Sequence, residues 1–244
     1  MAGQNSQATL VIGLGSLAQA TLSGGEQSNV VLVSLAWGLA VAFGIITGLP
    51  LSGGHIHPVF SLLRLIQGHM PWHFYPVFVM GQFLGVFTGA AVVYANYVGA
   101  INAFHENGPW DLRTASIFAS LPHPEDTSTA CCFLNQVVGT MILELLSLVL
   151  VDEGAGRLEG VGIGIGVGSV VVALSGSFSL RCGATFNPGR DLAARCFAAL
   201  AGWGGLAFGE GWWVGVLGPY CGGLLALGIF AYLAAPNFSP HPFA

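Results

Sequence analysis

Lysine is absent from this 244-residue chain, and its six basic residues are all arginines. Charged residues of either sign make up 7% of the sequence, where a soluble domain carries about a quarter. A chain this poor in cations has no electrostatic footprint for nucleic acid. With 54% hydrophobic residues and a mean hydropathy of +0.74, most of its surface must face lipid. No nucleophile–base pair and no cluster of metal ligands stands out, so the sequence supports neither an enzyme nor a bound cofactor or metal. The five cysteines (Cys131, Cys132, Cys182, Cys196 and Cys221) show no paired spacing and lie mostly in apolar runs. Small buried thiols are therefore expected rather than a disulfide scaffold.

The apolar runs divide the chain. Ala8 to Leu22 is apolar but falls short of the about 20 residues a bilayer core requires, so the first span is expected to be shortened. Val30 to Leu51 is charge-free and of full length. It ends at Ser52-Gly53-Gly54-His55, and a new apolar stretch starts at His57-Pro58 and stops near Gln67-Gly68. That stretch of about 10 residues, at 1.5 Å each, crosses half a membrane. From Pro71 a run reaches Phe104, and the polar segment from Asn107 to Thr129 reads as a long loop. Ala130 to Val151 spans again around Glu144, an acid that needs either a partner inside the bundle or a place near the membrane edge. Gly160 to Leu180 is rich in glycine and β-branched residues, yet an open strand in lipid would leave its backbone unpaired, so it must be helical. Its regularly spaced glycines predict close helix packing. A second half-length helix runs from Pro188 to about Ala201, and a last span from Trp212 to about Ala234.

The expected fold is an all-α membrane protein of six transmembrane helices plus two half-helices. They form two repeats, about 8–104 and 130–235, and the odd number of spans in each inverts the second relative to the first. Two turns mark corresponding places in these repeats. In Asn187-Pro188-Gly189-Arg190-Asp191 the asparagine is a good N-cap, and proline suits the first helical position. Arg190 then sits one turn in, where the helix dipole repels a lone cation. His57-Pro58-Val59 is the weaker copy. Paired breaks of this kind point to half-helices whose N-termini converge on a pathway.

These residues resemble the aquaporin (major intrinsic protein) family and, within it, the aquaglyceroporin branch. The second box matches except at Gly189, where the family has alanine. Asp191, the Ala201-Gly202-Trp203-Gly204 stretch and Thr114-Ala115-Ser116-Ile117-Phe118-Ala119 are similar to the glycerol-conducting branch. The first box departs further, with His57 and Val59 where the family has asparagine and alanine, and a glutamate of the family's fourth span falls at Gln136.

The resemblance implies a passive channel for glycerol and water that excludes ions and protons. It implies a homotetramer in the plasma membrane with both termini cytoplasmic. It places the constriction at Trp37, Ser175, Ala184 and Arg190, and a file of carbonyls at Gly53, Gly54, His55, Ile56, Gly183, Ala184 and Thr185. Asn187 and His57 would meet between these two files. Asp191 is either a marker of the branch or a structural partner of its helix dipole. His55 and His57 make acid-sensitive permeability conceivable. Two alternatives stay open: a non-conducting structural or interaction subunit, and a secondary transporter, since inverted repeats with broken helices build those too.

Overall fold

The computed structural model describes residues 2–121, 128–152 and 158–234. In chain order its α-helices are α1 (Ala2–Leu22), α2 (Val30–Ser52), α3 (Pro58–Ile66), α4 (Phe74–Phe104), α5 (Leu112–Ala115), α6 (Thr129–Val151), α7 (Val161–Cys182), α8 (Pro188–Ala198) and α9 (Val214–Leu233). Five of them, α2, α4, α6, α7 and α9, are long and apolar enough to cross a membrane. Capping fixes their ends locally. Asn29 accepts from the amides of Val31 and Leu32 at the start of α2, and Gly53 stops that helix in the left-handed region at φ 68°. Ser128 caps α6 through the amide of Cys131.

The first helix is not shortened. It runs 21 residues, about 31 Å at 1.5 Å per residue. The expectation failed because the first turns are polar and yet turned inward. Asn5, Ser6 and Thr9 are all buried. The Thr9 hydroxyl donates to the carbonyls of Asn5 (2.9 Å) and Ala40 (3.2 Å), while the Asn5 amide donates to the Ser52 hydroxyl (3.3 Å). Average hydropathy cannot tell a polar residue paired inside a bundle from one facing solvent.

The helix pairings map onto one another when α1–α4 are exchanged for α6–α9. The α1–α2 and α1–α4 pairings correspond to α6–α7 and α6–α9, while α2–α7 and α3–α8 pair across the exchange. The seams are lined by glycine. A Cβ on Gly168 of α7 would stand 2.5 Å from the Gly38 carbonyl oxygen of α2, and one on Gly38 would stand 2.6 Å from that of Gly168. Backbones this close leave room for hydrogen alone, which is how small residues drive packing where lipid supplies no hydrophobic force.

Two further expectations change. The segment between α4 and α6 carries the short helix α5, whose residues Thr114 and Ala115, together with Ile117 to Ala119, are buried. Residues 122–127 of that segment, and 153–157 of the connection after α6, lie outside the described residues. Of the cysteines, Cys132 on α6 and Cys182 at the end of α7 form a disulfide, their Cα atoms 5.2 Å apart, while Cys131, Cys196 and Cys221 are free. Spacing gave no sign of this pair because the packing of α6 on α7 creates it.

Gly168→Ala should lower stability by about 1–3 kcal/mol through overpacking against backbone. Gly176→Ala, on the same helix with nothing within 4 Å, should leave it unchanged or slightly raised. Thermal melting in detergent reads both.

Candidate functional site

Two half-length helices, α3 with 9 residues and α8 with 11, begin at caps that hold each other. Asn187 sits in extended backbone ahead of Pro188, and its Oδ1 accepts from the Arg190 amide at 3.0 Å. Its Nδ2 is thereby free to reach the other loop, where it donates to the Ile56 carbonyl at 3.1 Å. His57 occupies the matching place ahead of Pro58, and its Nε2 donates to the Phe186 carbonyl at 2.7 Å. Each cap thus binds the carbonyl just before the other cap.

The departures from the family pattern fit the packing behind these caps. A Cβ on Gly189 would lie 2.8 Å from Pro58 Cγ, so glycine suits the third position of the second box. Val59, fully buried and bulkier than alanine, extends toward Gly223 of α9, which offers no side chain to obstruct it. Pro58 and Gly189 therefore pack the half-helices together and Val59 packs α3 on α9, and none of the three lines the cavity.

One face of α6 reads both loops in succession. Gln136 donates to the Gly183 carbonyl (2.9 Å) and accepts from the Phe186 amide (2.9 Å). Four residues on, the Thr140 hydroxyl donates to the Phe186 carbonyl (3.2 Å), and four further, Glu144 lies 3.0 Å from His57 Nδ1. Spacing of four keeps all three on one helical face. These contacts hold Phe186 at φ 47°, a left-handed conformation uncommon for a residue with a side chain. Gln136 thus braces the second loop as an amide, satisfying one acceptor and one donor that a carboxylate could not serve together.

Arg190 and Trp37 lie against each other on the wall of the cavity. The guanidinium carbon stands 5.0 Å from the Trp37 ring centroid, and Nη1 donates to the Ser120 hydroxyl at 2.8 Å. Trp37 in turn lies against the bare backbone of Gly13. Ser120 is the residue that sequence reasoning missed, one place beyond the Thr114–Ala119 stretch. It also bonds the Thr185 hydroxyl, takes the Asp191 carboxylate on its amide (3.2 Å), and gives its carbonyl to Arg195. Asp191, with no exposed surface, pairs with Arg195 Nε at 2.6 Å, and Arg195 continues to the Ala207 carbonyl at 2.7 Å. Asp191 is a structural brace that fixes the segment carrying Ser120, and through it Arg190.

A cavity of about 370 Å³ runs past these groups, lined by Trp37, Ser175, Ala184 and Arg190, by His57 and Asn187, and by Gly53, Gly54, Ile56, Gly183 and Thr185. His55 is not on its wall. Its Nδ1 bonds the Ser61 hydroxyl (2.9 Å), its carbonyl accepts from Gln82 (3.3 Å), and its ring edge packs on Phe78. The Gly183 carbonyl is also committed, since Gln136 and Asn135 both donate to it. Carbonyls of Gly53, Gly54, Ala184 and Thr185 remain without a hydrogen bond among the described residues.

Half-helices capped onto each other across a cavity, among helices long and apolar enough to span lipid, define a membrane channel architecture. The family model for major intrinsic proteins matches residues 6–232, and the chain belongs to that family. It is 38% identical to aquaporin-9 of Homo sapiens, covering 96% of this chain and 80% of that protein. It is 35% identical to human aquaporin-10 (93% and 77% covered) and 36% identical to aquaporin-7 of Mus musculus (90% and 75%). Among solved structures, the aquaglyceroporin from Plasmodium falciparum superposes with a TM-score of 0.86 at 26% identity, covering 96% of this chain and 95% of that one. The chain is a multi-pass integral membrane protein.

Asp191→Ala should destabilise the fold by about 3–5 kcal/mol, because it strands Arg195 as an unpaired buried charge. A fall in melting temperature of that size, measured against Asp111→Ala on the exposed loop, checks it.

Proposed function

We propose that this protein is a passive channel for glycerol and water, with one pore through each subunit of a homotetramer. The observation that carries the reading is the reciprocal capping, Asn187 to the Ile56 carbonyl and His57 to the Phe186 carbonyl, at the wall of a continuous cavity. In this reading α1 is the sixth span, and α3 and α8 enter from opposite faces as half-spans of two inverted repeats. Both termini are then cytoplasmic and the membrane is the plasma membrane.

The mechanism follows from what each group offers. A solute entering the bore exchanges hydrogen bonds to water for bonds to the carbonyls of Gly53, Gly54, Ala184 and Thr185, one at a time. At the constriction Arg190 donates to one hydroxyl edge while Trp37 supports the carbon edge, a division that suits a polyol. Ser175 and Ala184 are small, so the opening is wide enough for three carbons. Exclusion of ions comes from charge. Two helix N-termini, each about half a positive charge, face the same point, and Arg190 adds a full one. A cation loses its hydration there and meets only repulsion. Asp191 is held closer to Arg195, at 2.6 Å, than to Arg190, at 3.7 Å, and so offsets that field only in part.

Stopped-flow light scattering of proteoliposomes tests this. Glycerol flux should exceed that of empty vesicles, rise linearly with concentration, and ignore proton and sodium gradients. Ser175→Phe should cut glycerol flux about tenfold or more, a barrier of ~1.4 kcal/mol, while water flux falls much less. Arg190→Ala should admit monovalent cations that the unaltered protein excludes. Vesicles no faster than empty ones would overturn the channel reading.

A further inference from the structure

The first cap lacks the asparagine of its counterpart, and a carboxylic acid stands beside the replacement. Glu144 is 1% exposed. Its Oε1 stands 3.0 Å from His57 Nδ1, the one close polar approach recorded for it among the described residues, and neither carboxyl oxygen has any other hydrogen-bond partner there. On the other side of the ring, Nε2 faces the Phe186 carbonyl at 2.7 Å. A carbonyl can only accept, so Nε2 must carry a hydrogen. A neutral ring then presents a lone pair at Nδ1, which the Phe60 amide meets only at 3.4 Å, and an ionised Glu144 would set a second unshared pair 3.0 Å from it, which a buried site does not tolerate. One proton therefore lies on the Nδ1–Oε1 axis. It belongs either to a neutral acid donating to a neutral ring or to an imidazolium donating to a carboxylate.

Both arrangements leave Nε2 protonated for the Phe186 carbonyl, and the first also leaves the Nδ1 lone pair facing the Phe60 amide, which is what the cap needs. Asn187 does its work because one amide accepts and donates together. Imidazole does the same only with its hydrogen on Nε2, leaving Nδ1 toward the Phe60 amide, 3.4 Å away. Resting on the channel reading above, we propose that Glu144 is a positioning residue, which locks His57 through a shared proton in the form that ties the two pore loops together. When that proton leaves, the carboxylate draws the remaining ring hydrogen to Nδ1. Nε2 is then bare against the Phe186 carbonyl, an attraction becomes a repulsion, and the loop holding Phe186 at φ 47° loses one of its ties.

The other ionisable groups on the surrounding elements have partners of their own. His55 bonds Ser61, and Arg64 bonds Gln67 at the far end of α3. On α8, Arg190 is held by Ser120 and Trp37, and Asp191 by Arg195. Tyr220 of α9 bonds Tyr75.

Glycerol flux and melting temperature are measured from about pH 5 to about pH 9, bracketing ordinary carboxyl and imidazole titrations. Flux of the unaltered protein should hold at the acid end and fall with rising pH, by up to about tenfold per unit once the shared proton titrates. The proton stabilises the folded state, so melting temperature should fall in the same direction. Glu144→Gln, whose amide donates to Nδ1 without titrating, should flatten both profiles. The double variant His57→Asn with Glu144→Leu, which restores the amide cap, should flatten them too and serves if the single variant does not fold. If unaltered vesicles pass no glycerol at any pH, the channel reading fails, and melting alone still decides the pair. Equal melting slopes with and without Glu144 overturn the proposal, as do a flux profile that is flat or rising in the unaltered protein or one with the same slope as that of a folded variant.

Discussion

Two crossed hydrogen bonds at the meeting of the half-helices govern the interior. A helix start in lipid leaves amides unsatisfied, and here each start is sealed by a side chain that must also reach across to the opposite loop. That double duty admits very few residues. Asparagine meets it directly, whereas histidine meets it only in one tautomer, so the substitution at position 57 creates a dependence on position 144. The rest of the bundle is arranged to keep the two starts in register: Gly189 lets Pro58 approach, Gly223 accommodates Val59, and Gly139 leaves room for the Phe186 ring.

α6 is the element on which the loops are hung. Gln136, Thr140 and Glu144 recur every four residues and contact, in order, the second loop, the residue beside its cap, and the cap of the first. Opposite them, the segment after α5 carries Ser120 to Arg190, and Asp191 and Arg195 fix that segment from within α8. The two loops and Arg190 are therefore held by two independent supports. One is a single helical face, and the other is a buried ion pair tied to backbone.

Much of this was legible in the chain. The all-α membrane fold followed from the scarcity of charge and from the run lengths, and the two proline-bearing caps stood out as breaks in otherwise apolar sequence. Several readings needed correction, and three of them share one reason. The first helix proved full length, Cys132 and Cys182 proved paired, and His55 proved to be packed behind the cavity. In each case the deciding partner comes from another helix, such as Ala40 for Thr9, α7 for Cys132 or Gln82 for the His55 carbonyl.

The sequence by itself determined the solvent of this protein, the number and length of its apolar segments, and the two points where helices restart. Those properties depend on hydropathy, proline and capping chemistry, which act within a few residues. Only the tertiary structure decided which polar groups are spent on holding the loops and which face the cavity. Ser120 carries no local signal, and Gln136 and Glu144 stand out by residue type without any sign of their partners. Their roles arise because helix packing brings them within hydrogen-bond or ion-pair reach of backbone and side chains tens of residues away, and chain spacing does not encode that proximity.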